Sequence, residues 1–105
     1  MKLIVSANDL SESPDRFLRR AGYAFIEDRA RDKTSYVRRL TRDYYPRLHL
    51  YWHQARTETG ESVIVFDLHL DQKQASYAGA RMHNAEHEAP AVAEEIERLK
   101  ILLFS

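Results

Sequence analysis

The sequence predicts an α+β fold: a four-stranded, mainly antiparallel sheet with an N-terminal and a C-terminal helix packed on one face. Three stretches carry that expectation. Residues 47–71 alternate apolar and polar on both sides of a short turn, and residues 13–22 hold a punctuated short helix. Residues 90–104 repeat apolar positions at helical spacing.

The first helix is marked by "SPDRFLRRAGY". Ser13 is a good N-cap, Pro14 suits the first helical position, and Asp15 favours the positive end of the helix dipole. Arg19 and Arg20 fall in the last turn, and Gly22 suits the left-handed position that ends a helix. Phe17, Leu18 and Ala21 supply a short apolar face. Next, "YAFIEDR" (23–29) and "SYVRRLT" (35–41) read as strands from their aromatic and β-branched content. Pro46 then interrupts, because proline removes a ladder donor.

The hairpin "RLHLYWHQARTETGESVIVFDLHLD" is the clearest element. Leu48, Leu50 and Trp52 share one side, and His49, Tyr51 and His53 the other. On the return strand Ile64, Phe66, Leu68 and Leu70 oppose Val63, Val65, Asp67, His69 and Asp71. "ETG" suits a three-residue loop ending in a left-handed glycine, with Thr57 opposite Glu61. That register sets Leu48 against Leu70, Leu50 against Leu68 and Trp52 against Phe66. On the reverse side Arg47 meets Asp71, His49 meets His69, and Tyr51 meets Asp67. Val63 and Val65 share this polar side, so part of it is expected to be covered.

Residues 72–89 read as a long polar loop. A final helix follows from Pro90 to about Phe104, with Val92, Ile96, Leu99 and Leu103 on one face. The hairpin's apolar side is expected to meet Phe17, Leu18, Val92, Ile96, Leu99 and Leu103.

The 105 residues fit one domain with one core, and the 30% charged, 44% hydrophobic composition is that of a globular chain. Without cysteine there are no disulfides, thiolate nucleophiles or cysteine-ligated metals. "MKLIVSAND" is too short in apolar residues for a secretory signal, and "ILLF" is far short of a membrane span. These features point to a cytoplasmic protein without membrane association.

Sixteen Lys/Arg balance sixteen Asp/Glu, but the halves differ. Residues 1–56 hold twelve basic and seven acidic residues, an excess of five positive charges; the rest hold four and nine, an excess of five negative. Such asymmetry fits either a polyanion-binding patch or charged faces that pair within the fold.

Two constellations carry chemistry. In the first, the register places the Cβ atoms of His49 and His69 roughly 4.5–5.5 Å apart, as for any directly opposed antiparallel pair. Asp67 and Asp71 flank His69. Imidazole and carboxylate suit a divalent metal such as zinc, with His49, His69 and Asp71 as a partial shell that His83 and His87, four apart, could close. The same His49, His69 and Asp71 suit metal-free acid–base catalysis. The plainer reading is a polar sheet surface, solvated or covered by a partner or a second copy in a homodimer. In the second constellation, Arg16, Arg19, Arg20, Arg38, Arg39 and Arg42 are suited to RNA phosphates. Tyr36, Tyr44, Tyr45 and Tyr51 offer stacking surfaces for unpaired bases.

"FLRRAGYAFIEDRARDKTSYVRRL" resembles the opening of HicA-type mRNA interferase toxins, over residues 14–42. In that family a short helix ends in a basic pair, followed by a small residue, glycine and an aromatic. The resemblance implies a double-stranded-RNA-binding-domain-like fold: a three-stranded antiparallel sheet with two helices on one face. It does not carry over ribonuclease activity. The family's catalytic histidine follows Gly-Ser on the second strand, where this chain has "TSY" with Tyr36 in that place. Separately, "LHLDQKQASYAGARMH" resembles runs in small uncharacterised bacterial proteins. The function expected is a small RNA-directed module; the alternatives are a metal-dependent or acid–base enzyme and a homodimerising or partner-binding domain.

Overall fold

The computed structural model describes residues 1–28, 33–43, 45–71 and 84–104, with side chains except those of residues 28, 33, 34 and 84–89. The elements run β1 (Lys2–Ser6), a 3-10 turn (Ala7–Asp9), α1 (Pro14–Arg20), β2 (Ala24–Asp28), β3 (Lys33–Arg39), β4 (Arg47–Arg56), β5 (Ser62–Asp71) and α2 (Asn84–Phe104). The strands form one antiparallel sheet in the order β1-β5-β4-β3-β2. The fold class is as expected, but the sheet has five strands rather than four. The additional strand is β1, which pairs with β5 so that Leu3 lies opposite Phe66 and Val5 opposite Ile64. Leu3 and Val5 enter the core, while Lys2, Ile4 and Ser6 take the other side of the pleat.

Local chemistry explains α1 as read. The Ser13 hydroxyl accepts from the Arg16 N–H at 3.2 Å, Pro14 occupies the first turn, and Gly22 adopts φ +101°. The β4–β5 loop closes with the Thr57 N–H donating to the Glu61 carbonyl at 2.9 Å, and Gly60 is left-handed at φ +87°. Every expected pair of the hairpin register is present, from Arg47 opposite Asp71 to Trp52 opposite Phe66.

Helix α2 begins at Asn84 rather than at Pro90, which falls inside it. Ala85, Glu86, Glu88 and Ala89 are good helix formers, and acids favour the helix start, so the helix extends upstream of the proline. The expected loop therefore loses residues 84–89; residues 72–83 lie outside the described residues.

Both helices cover one face of the sheet. Leu48, Leu50, Ile64, Phe66 and Leu68 are buried against Phe17, Leu18, Val92, Ile96 and Leu99, with Trp52, Leu70 and Leu103 packed at the margin. The rings of Phe17 and Phe66 meet at 5.9 Å. Tyr23 and Tyr36 join this core.

A buried carboxylate ties the helix layer to the sheet. Glu95 is 4% exposed and accepts from the Tyr23 hydroxyl at 2.6 Å and from Arg98 Nε and Nη2 at 2.6 and 2.8 Å. Arg98 also donates to the Ala21 carbonyl at 2.7 Å, and Arg38 lies 3.7 Å from Glu95. Burial pushes the Glu95 carboxyl upward, but its bonds to Arg98 and Tyr23 and the Arg38 charge outweigh that, leaving it below its ordinary value. Burial and the bond to Glu95 raise the Tyr23 phenol and keep it protonated.

Replacing Glu95 by alanine strands these donors and is expected to cost about 2–4 kcal/mol at neutral pH. A depressed carboxyl contributes stability above the unfolded value of 4.5 and loses it as pH falls through the folded value. The difference between wild type and Glu95→Ala in urea unfolding should therefore shrink on acidification. A gap constant from neutral to acid pH would contradict this role.

Candidate functional site

Among the described residues, no helix packs on the second face of the sheet. Period two places Arg47, His49, Tyr51 and His53 of β4 here, beside Asp67, His69 and Asp71 of β5 and Val37 and Arg39 of β3. Val63 and Val65 share the face and are buried, flanked by β1 on one side and β4 on the other.

His49 and His69 are direct cross-strand partners, as the register requires. Their rings do not converge. His49 Nδ1 lies 3.0 Å from Asp71 Oδ2, whereas His69 Nε2 lies 3.3 Å from Asp67 Oδ1. The Tyr51 ring contacts both, with centroids 4.7 Å from His49 and 6.5 Å from His69. The opposed histidines thus form two imidazole–carboxylate pairs with a phenol ring between them.

Arg47 Nε donates to the same Asp71 oxygen at 3.3 Å, and its guanidinium lies 5.3 Å over the Tyr45 ring. Burial pulls the Asp71 carboxyl upward, yet His49 and Arg47 together hold it below the ordinary aspartate value. An ionised carboxylate only accepts, so His49 Nδ1 carries the proton and Nε2 is left as the second ring nitrogen. His49 Nε2 is buried and has no hydrogen-bond partner.

Among the described residues, no group of three or more His, Asp or Glu side chains is placed to hold a metal ion. Asp71 is turned to His49 and Arg47, away from a shared centre with His69. His83 lies outside the described residues, and so does the side chain of His87, whose backbone belongs to α2.

No protein-family model matches the chain, and neither the curated proteins nor the solved structures give a significant match. The residues themselves therefore carry the functional argument.

The arginines do not form one patch. On α1, Arg19 pairs with Asp15 at 3.0 Å and Arg20 with Glu12 at 2.8 Å, while Arg16 is exposed. Arg38 points to the helix layer and Glu95. Arg39 lies on the polar face, and Arg42 is exposed in the bend that follows. Tyr36, expected as a stacking surface, is 2% exposed and its hydroxyl donates to Asp15 at 2.6 Å. Its ring is core packing and offers no face to a base. Tyr44 lies outside the described residues.

The sequence reading missed one juxtaposition. The β3–β4 register sets Arg39 directly opposite Arg47. Like charges in that position are destabilising unless anions accompany them. The charge of both residues was visible; the strand pairing across residues 40–46 was not.

The His49–Asp71 pair has a direct readout. Long-range nitrogen–proton spectra of neutral His49 are expected to show the Nδ1–H tautomer, shifting toward a mixture in Asp71→Ala. The same variant should lose about 1–3 kcal/mol, since Arg47 and His49 lose their common acceptor. An Nε2–H tautomer in wild type would refute the pairing.

Proposed function

We propose that the protein is a small RNA-directed binding module whose ligand lies on the polar face of the sheet. The observation that carries this reading is the opposed pair Arg39 and Arg47, with the Arg47 guanidinium over the Tyr45 ring and the Tyr51 and His69 rings on the same face. Asp71 accompanies Arg47, and a cross-strand pair of guanidiniums gathers positive charge at a place suited to an anion.

The division of labour follows from elementary chemistry. Guanidiniums bind phosphate oxygens through paired N–H donors, and rings on a sheet surface stack on unpaired bases. Here Arg39 and Arg47 stand where β3 ends and β4 begins with Tyr45 beside Arg47, and the Tyr51 and His69 rings lie further along β4 and β5. Such spacing favours a single strand whose backbone crosses the cationic corner while bases reach the rings. The resemblance of residues 14–42 to HicA-type proteins points toward RNA as well. The paired arginines of α1 belong to the helix side and are left out of this interface.

The acid–base reading has less support. His49 has an orienting carboxylate, but the nitrogen that would exchange a proton with substrate is Nε2, which is buried. A binding surface uses these residues as they stand.

Fluorescence anisotropy with labelled single-stranded RNA tests the reading. Affinity should fall steeply as salt is raised, because phosphate neutralisation releases counterions. Tyr51→Leu should weaken binding by about 5- to 150-fold, the equivalent of one stacked base at about 1–3 kcal/mol. Arg39→Glu should weaken it across all sequences, whereas Arg19→Gln on the helix side should change little. No binding by wild type at low ionic strength would end the proposal.

A further inference from the structure

β1 is an edge strand with neighbours on one side only among the described residues. The Leu68 N–H donates to the Met1 carbonyl at 2.8 Å, and Met1 N donates back to Leu68 at 3.0 Å. Doubly bonded pairs alternate along an antiparallel ladder. Leu3 and Val5 therefore direct their backbone groups to β5, while Lys2, Ile4 and Ser6 direct theirs outward, off the sheet.

Natural edges are usually protected by charge, proline or a bulge. At the other end of the sheet β2 carries Glu27 and Asp28. β1 has a single charge, Lys2, at its start, and its central Ile4 is 60% exposed. Beside this strand lies a groove of about 490 Å³ between β1 and α2, lined in part by Met1, Ile4, Ala93, Ile96, Glu97 and Lys100. The groove side of α2 continues at helical spacing to Ile101 and Phe104, which are 67% and 65% exposed. The β1 edge and the α2 stripe thus border the groove together, with the Ile4 side chain on the sheet side away from α2.

We propose that this surface is a homodimer interface in which β1 pairs with β1 of a second copy about a two-fold axis at Ile4. Three features favour a second copy over a foreign peptide. Centred on Ile4, the strand is self-complementary: Lys2 faces Ser6 of the other copy and Leu3 faces Val5, so no like charges are opposed. Glu97 and Lys100 sit 3.3 Å apart on the groove side, and an antiparallel crossing brings each acid toward the other copy's base. A five-residue strand alone falls short of the roughly 1,200–2,000 Å² buried in a stable interface, and α2 supplies the missing apolar area.

The symmetry has a geometric consequence. A two-fold that pairs edge strands antiparallel stands perpendicular to the sheet. Two five-stranded sheets join into one of ten, with both helix layers on one side and both polar faces on the other.

Sedimentation equilibrium of the full chain without nucleic acid, from low micromolar to near-millimolar concentration, tests the dimer. The expected mass is twice the 12.3 kDa of one chain. Ile4→Lys sets two ammonium groups against each other at the axis and should raise the dimer dissociation constant roughly a hundredfold or more. Phe104→Glu, at an exposed position on α2, should weaken the dimer in the same direction and carries the test if Ile4→Lys fails to fold. A monomer mass at every concentration would overturn the proposal, as would a dimer unaffected by both substitutions.

Discussion

The β4–β5 register governs both faces of the sheet. Thr57 and Glu61 close the loop around left-handed Gly60, and from that turn the pairing runs without interruption to Arg47 and Asp71. It stacks Leu48, Leu50 and Trp52 against Leu70, Leu68 and Phe66 beneath the helices. The same pairing sets His49 against His69 and Tyr51 against Asp67 on the reverse side. A slip by one residue would exchange the faces, driving imidazoles into the helix layer and leucines away from it. The core and the polar face are therefore two outcomes of one turn geometry.

Glu95 fixes the helix layer over that hairpin. Apolar packing positions α2 only within the tolerance of its side chains, but a buried carboxylate with several directional donors specifies one placement. Its donors come from Tyr23 before β2 and from Arg98 on α2 itself, the Arg38 charge on β3 lies 3.7 Å away, and Arg98 reaches on to the end of α1. The charge asymmetry of the sequence is partly resolved by such contacts. Basic residues of the first half meet acids of the second as Arg38 with Glu95 and Arg47 with Asp71.

What was legible in the sequence was whatever repeats locally. The hairpin alternates over ten residues per strand, and α1 carries a cap, a proline and a terminal glycine, so both were read with their partners. β1 is only five residues long and offers two inward positions, too few to distinguish a strand from a short apolar run. The start of α2 was misplaced because Pro90 imitates a first-turn proline, although the residues before it favour helix. β3 alternates poorly because Arg38, on its core side, extends to Glu95, a contact made across the fold. The opposition of Arg39 and Arg47 was hidden for the same reason, since it depends on a pairing that no local pattern announces.

On the polar face, the opposed histidines take separate carboxylate partners. Backbone pairing brings His49 and His69 together at Cα, but each ring turns to a different carboxylate and Tyr51 lies against both. A metal centre needs donor lone pairs aimed at one point, and an acid–base site needs one nitrogen presented to substrate. Asp71 instead orients His49 Nδ1, and the remaining nitrogen is buried. What the face holds is an exposed Arg39 opposite Arg47, whose side chain is only 12% exposed, and rings with defined neighbours. The proposed reading uses those groups as guanidiniums suited to anions and rings suited to flat apolar surfaces, held in pre-set positions. On that proposal, rings beside cations would meet the alternating bases and phosphates of a single nucleic-acid strand.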